Sequence, residues 1–157
     1  MDDYQILYEK AKAIAMKAHA GQKDKGGMDY ITHPLRVSEL CRTKQAKIAA
    51  LLHDVVEDSD VTCEDLMAEG IPKEIVAVVD FLTLRPGIKR QDYIRRLGKH
   101  PIAREVKMAD LLHNMDPTRE VLPAFSEGIE ESRRRYYREF LYLYENPPRT
   151  DETTSIG

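Results

Sequence analysis

The sequence predicts one all-α domain of about eight helices. Three observations carry that expectation. Apolar residues recur at three- and four-residue spacing along most of the chain. No strand-like alternation lasts more than a few residues, and no internal repeat is present. Glycines and prolines divide the chain into helix-length segments joined by short loops. The 157 residues suit a single compact domain and suffice to bury a sizeable core.

Taken in order, residues 3 to 20 place Leu7, Ala11, Ile14 and Ala18 on one helical face. Gly21, Gly26 and Gly27 then open a loop. Pro34 suits the first turn of a second helix with Leu35, Val37 and Leu40, because its missing N–H is harmless there. A third helix, Lys44 to Val56, is apolar on nearly all sides around Ile48, Leu51 and Leu52, which places it at the centre. Thr62 caps a fourth, short helix, with Glu64 and Asp65 in its first turn, and Gly70 ends it. Pro72 opens a fifth helix reaching Leu82, and Pro86-Gly87 is a turn. A sixth covers residues 90 to 97 and closes at Gly98. Pro101 opens a seventh that runs to Met115, where Pro117 prevents continuation. Ser126 is expected to cap the last helix, which ends near Tyr144 before Asn146-Pro147-Pro148. Its core face is read as Ile129, Tyr136, Tyr137, Phe140 and Tyr144, with Arg133, Arg134 and Arg135 on a solvated face. The domain is expected over 1–148 and a disordered polar tail over 149–157.

Lys plus Arg number 24 and Asp plus Glu 27, for a net charge of -3. That balance argues against a nucleic-acid partner but leaves room for a local basic pocket. Cys41 and Cys63 form no CxxC pair, so a cysteine zinc site is not expected. Two free thiols suit a reducing cytoplasm. The acidic start Met1-Asp2-Asp3-Tyr4 lacks an apolar signal core. The longest apolar runs, Ile48–Leu52 and Ile75–Val79, fall far short of the roughly 20 residues of a membrane span. A cytoplasmic protein without a membrane partner is the expectation, and the sequence leaves homo-oligomerisation open.

The chemistry concentrates where polar groups interrupt apolar runs. His53-Asp54 lies inside the most apolar helix, and burying that pair is costly unless a partner offsets the charge. Asp110 lies in a similar run, Val106-Lys107-Met108-Ala109-Asp110-Leu111-Leu112, and His33 precedes Pro34 at the edge of the Gly-rich loop. His33, His53, Asp54 and Asp110 together would supply two nitrogens and two or more oxygens, a mixture that suits Mn²⁺, Fe²⁺ or Zn²⁺. The competing reading is a set of satisfied core polar groups. Glu57 and Asp58 follow His53 and Asp54 by four positions, so on a continuing helix they would overhang the ion and handle a water or leaving group. The alternative is a solvated acidic helix end. The loop from His19 to Ile31 combines glycines with Lys23 and Lys25, a composition equally suited to phosphate or to a surface connection.

Four segments carry a resemblance: His19-x-Gly21-Gln22; Tyr30-Ile31-x-His33-Pro34; Leu51-Leu52-His53-Asp54-Val55-Val56-Glu57-Asp58; and Val106-Lys107-Met108-Ala109-Asp110-x-x-His113-Asn114-Met115. They resemble the HD-domain phosphohydrolases and, more narrowly, the hydrolase domain of the RelA/SpoT family, which degrades the alarmone (p)ppGpp. The resemblance implies an all-helical HD-type fold, Mn²⁺ bound by His33, His53, Asp54 and Asp110, and Glu57 and Asp58 handling the attacking water. It implies removal of the 3′-pyrophosphate from the guanosine nucleotide, with Lys25, Asn114 and Tyr93 near the substrate.

Three departures stand out. Asp24 occupies the Arg position of the family's Arg-Lys pair, Asp116-Pro117-Thr118 replaces Arg-Thr-Leu, and Leu111 replaces a frequent Arg or Lys. All fall among substrate-recognition positions, so a hydrolase of another nucleotide or phosphorylated metabolite stays open. So does a nucleotide-sensing module that does not cleave. Because residues 19 to 115 carry the whole constellation in a chain of 157, the expectation is a stand-alone hydrolase without synthetase or regulatory domains.

Overall fold

Helix α3 (Lys44–Leu52) is the axis around which the other elements pack, and its sequence explains why. Ala46 and every residue from Ile48 to Leu52 are buried, so this helix has almost no face left for water. It packs against α1 (Asp3–Ala18), α2 (Thr32–Leu40), α6 (Lys73–Leu82) and α8 (Pro101–Asn114). The computed structural model describes residues 1–149; the remainder of the tail expected over 149–157 lies outside them. Among the described residues there are nine α-helices and one 3₁₀ turn, and no strand beyond an isolated bridge between Lys23 and Asp29. No helix among them is long and apolar enough to cross a membrane.

The helix ends follow local chemistry. Asp2 accepts the Gln5 N–H at the start of α1, and Thr43 accepts the Ala46 N–H at the start of α3. Thr62 and Asp65 form a reciprocal capping box on α5 (Cys63–Ala68). The His100 side chain caps α8 by accepting from Ile102 and Ala103 N–H, with Pro101 in the first turn. The fifth expected helix appears as α6 behind Pro72, and the sixth as α7 (Arg90–Gly98).

Two expectations required correction. The third helix does not continue to Val56. It stops at Leu52, His53-Asp54 form a turn, and α4 (Val55–Asp58) is a separate single turn. The His53 Nδ1 donates to Ala50 O at 2.6 Å, which ties the imidazole to the end of α3. The second correction concerns the last helix, α9 (Ile129–Glu145). Ser126 does not cap it. Gly128, at φ 79°, is its N-cap, and the Ser126 hydroxyl instead donates to Pro123 O of the 3₁₀ turn Pro123–Phe125. Its buried positions are Glu139 and Leu143, while Tyr137 and Tyr144 are 58% and 65% exposed. Glu139 is accepted in the interior because Arg90 of α7 pairs with it through two nitrogens. The α7–α9 approach is close: a Cβ at Gly98 would lie 2.9 Å from Leu143 Cδ2.

Candidate metal centre

The break after α3 serves the site directly. Neighbouring residues on a regular helix point about 100° apart and do not face a common target. The turn at His53-Asp54 brings His53 Nε2 within 3.0 Å of Asp54 Oδ2, in a geometry that is not a hydrogen bond. His33, from the first turn of α2, brings its Nε2 to 3.8 Å from the same Asp54 oxygen. These three residues each offer one ligand atom, all within 4.8 Å of one another. Asp110 of α8 stands beside both imidazoles, its Oδ1 2.8 Å from His33 Nε2 and 3.6 Å from His53 Nε2. Donors about 2.0–2.2 Å from a shared ion lie about 3–4 Å apart, the spacing that Asp54 Oδ2 has to His53 and His33, while Asp110 Oδ1 is hydrogen-bonded to His33 Nε2.

The donor set passes a second test of fit. His53 Nδ1 carries a proton toward Ala50 O, so Nε2 is the nitrogen that presents a lone pair in the neutral ring and that a cation would occupy in place of a second proton. That Nε2 is buried and has no hydrogen-bond partner. An orphaned imidazole nitrogen of the right tautomer, beside the part-buried Asp54 and the buried Asp110, is what a divalent cation requires.

The surrounding groups orient the donors. Tyr30 donates its hydroxyl to Asp54 Oδ2 at 2.6 Å. Lys107, buried one turn before Asp110, donates to Asp110 Oδ2 at 2.9 Å, and Asn114 donates to Asp110 Oδ1 at 3.2 Å. His33 Nδ1 lies 2.7 Å from His113 Nδ1. Loss of water pushes His113 down to about 4, with help from Arg119, so it is neutral at pH 7. Burial opposes the charge on Asp110, but Lys107 and the two imidazoles outweigh it and hold the carboxyl well below its usual range. Burial likewise opposes Asp54, where His53 prevails. Burial would lower His53, yet Asp54 and Asp110 raise it well above the ordinary imidazole value. The centre therefore attracts positive charge.

The donors form the floor of a cavity of about 420 Å³. Its walls include Lys23, Lys25, Arg90, Arg119, Arg133 and Arg135. Of the expected catalytic acids, Glu57 lines the cavity and accepts Leu84 N–H on Oε1 at 2.8 Å. Asp58 is not in the lining, and its backbone carbonyl accepts from Gln22 Nε2. Lys25, Asn114 and Tyr93 all line the cavity. Tyr93 is buried with its hydroxyl committed to Leu82 O at 2.6 Å, so it offers its ring to the wall. Asp24 is turned inward: its Oδ1 accepts Gly26 and Met28 N–H, and its Oδ2 pairs with Arg119 at 3.3 Å. His19 and Gln22 are joined at 2.9 Å and brace the loop.

Arg133 and Arg134 are exposed, as the solvated face requires, and Arg133 and the part-buried Arg135 also border the cavity. Arg119, Arg90 and Lys107 had no assigned role in the sequence. Only Lys107 carried a signal, a cation three residues before a buried acid.

An HD domain model matches residues 11–130 of this chain. The chain belongs to the HD domain family. This HD domain is 33% identical over 149 residues to a GTP pyrophosphokinase of Streptomyces coelicolor, covering 87% of the chain and 17% of that protein. It is 30% identical to the bifunctional (p)ppGpp synthase/hydrolase SpoT of Escherichia coli, covering 86% of the chain and 20% of that protein. It is 36% identical to a guanosine-3′,5′-bis(diphosphate) 3′-pyrophosphohydrolase of Borreliella burgdorferi, covering 68% and 18%. The HD domain thus spans a fifth or less of the length of these curated relatives. A solved structure of a metazoan SpoT ortholog described as hydrolysing ppGpp superposes with a TM-score of 0.69 at 21% identity, over 87% of this chain and 84% of that one. That likeness establishes the all-α HD-type fold.

Proposed function

We propose that this chain is a divalent-metal-dependent pyrophosphohydrolase that removes the 3′-pyrophosphate from guanosine 3′,5′-bis(diphosphate), using Mn²⁺ held by His33, His53, Asp54 and Asp110. One observation carries the reading: a two-imidazole, two-carboxylate donor cluster forms the floor of a cavity whose walls are rich in Lys and Arg. Such a cavity suits a small ligand with several phosphates. The names of the relatives in Escherichia coli and Borreliella burgdorferi support the choice of nucleotide.

When bound, the ion would supply Lewis acidity toward the phosphate and toward water. Glu57 orients the water; its Oε1 is held by Leu84 N–H, which leaves Oε2 to take the proton. Asp58, next in the chain, is assigned the same water as a second acid. One water is consumed: its hydroxyl goes to the departing pyrophosphate and its proton to the ribose 3′-oxygen. Lys25 and Asn114 contact the nucleotide, and the Tyr93 ring forms wall. The functional unit is residues 1–148, and the free thiols Cys41 and Cys63 support a cytoplasmic location.

The test is a hydrolysis assay with Mn²⁺ and (p)ppGpp, with products separated chromatographically. Pyrophosphate and the guanosine 5′-phosphate product are expected, and Asp54→Ala should abolish both Mn²⁺ binding and turnover. An Asp54→Ala variant that bound Mn²⁺ and turned over like the parent would overturn the site. Monophosphate release from another nucleotide in a panel would point to a different substrate. Nucleotide binding without turnover across several metals would point to a sensor.

A further inference from the structure

Arg119 sits on the cavity wall, 25% exposed, in a segment without helical structure between α8 and the 3₁₀ turn. Three contacts hold it. Its Nη2 pairs with Asp24 Oδ2 at 3.3 Å, its Nη1 donates to Asn114 Oδ1 at 3.1 Å, and Nη1 also reaches His113 O at 3.5 Å. Asn114 in turn donates to Asp110 Oδ1. A continuous chain of polar contacts therefore runs Asp24, Arg119, Asn114, Asp110, from the Gly-rich loop to the donor cluster.

A guanidinium has five N–H groups. The contacts above use three, leaving the Nε–H and one Nη2–H on a cation that borders the cavity. Asp24 is 9% exposed in its side chain and has its other oxygen committed to Gly26 and Met28 N–H. Its carboxylate is thus an anchor for the arginine. The backbone reinforces the arrangement. Leu122 N–H donates to Lys25 O at 2.7 Å, and a Cβ at Gly26 would lie 2.5 Å from Glu120 O. Loop and segment are joined on both sides of the ion pair.

We propose that Arg119 binds a phosphate group of the nucleotide substrate and that Asp24 is the residue that positions it. The inference rests on the nucleotide hydrolase reading above. An arginine held in place on two sides loses little freedom when it binds phosphate bidentately. Removing it has a further consequence, because Asp24 is then left as an unpaired carboxylate facing an anionic ligand.

Steady-state kinetics with Mn²⁺ and (p)ppGpp, and calorimetric binding of the same nucleotide, test this on the parent, Arg119→Ala and Asp24→Asn/Arg119→Ala. Arg119→Ala should raise KM and Kd by about ten- to a hundredfold, as expected for a lost charged hydrogen bond, with a smaller fall in kcat. Mn²⁺ affinity should be retained. Asp24→Asn keeps an oxygen for the loop N–H groups and removes the charge, so the double variant should recover at least about threefold in Kd. The proposal is overturned if Arg119→Ala leaves KM and Kd unchanged in a protein that turns over, if the double variant recovers nothing, or if Arg119→Ala loses Mn²⁺ as well. A parent that neither binds nor cleaves any nucleotide defeats the hydrolase reading and this inference together, an outcome distinct from the other three.

Discussion

Asp58 titrates at about 6, raised first by loss of water and then by the charges of Asp54 and Glu57. Its folded value lies above that of an unfolded carboxyl, so the folded protein binds the extra proton between about pH 4 and 6. The contribution to stability is present at low pH and is lost as pH rises through 6. A base must be ionised, so if Asp58 assists the water, kcat should fall on acidification with a limb near pH 6. A kcat–pH profile should show that limb disappear in Asp58→Asn. An unchanged limb in that variant would remove Asp58 from the reaction. At this scale the grouping of His33, His53 and Asp54, with Asp110 beside them, was legible because each is a polar group in an apolar run or at a Gly-rich edge. Tyr30 lay inside a quoted motif, yet its bond to Asp54 joins residues 24 apart. Arg119 had no legible signal, because Pro117 ends helical periodicity before it and its partner Asp24 is 95 residues away.

Helices were legible wherever caps and periodicity agreed, and misread where a site overrode them. The capping box of α5 is the clean case: Thr62 and Asp65 exchange hydrogen bonds where the sequence places them. Thr62→Ala should cost about 1 kcal/mol of stability, measured by denaturant unfolding, with no effect on Mn²⁺ binding. The α3 break was not legible, since the run Leu51 to Val56 reads as uninterrupted helix former and only the shared target of His53 and Asp54 requires the turn. In α9, spacing identified the helix and part of its inner face: Tyr136 and Phe140 pack against the core, whereas Tyr137 and Tyr144 face out and the interior takes Glu139 because Arg90 is there to meet it.

Across the whole molecule, the Arg90–Glu139 pair fastens α7 to α9, and Arg90 also borders the cavity. Glu139→Ala strands a half-buried guanidinium and should cost about 2 kcal/mol. A fall in melting temperature of about 5 °C should follow, and calorimetry of the parent and variant checks it. An unchanged melting temperature would show that the pair contributes nothing to stability. The packing of helices around α3 was legible from that helix's composition, but the enclosure of the cavity by α9 was not, because it depends on a connection with no periodic signal. That connection has an evolutionary consequence. The four proposed donors, His33, His53, Asp54 and Asp110, lie between residues 33 and 110, while the wall fastened to the Gly-rich loop at Lys25–Leu122 comes from a later stretch. Mutations in the later stretch can change which molecule is admitted without disturbing the donors. A lineage of such proteins can therefore keep one reaction and diverge in diet.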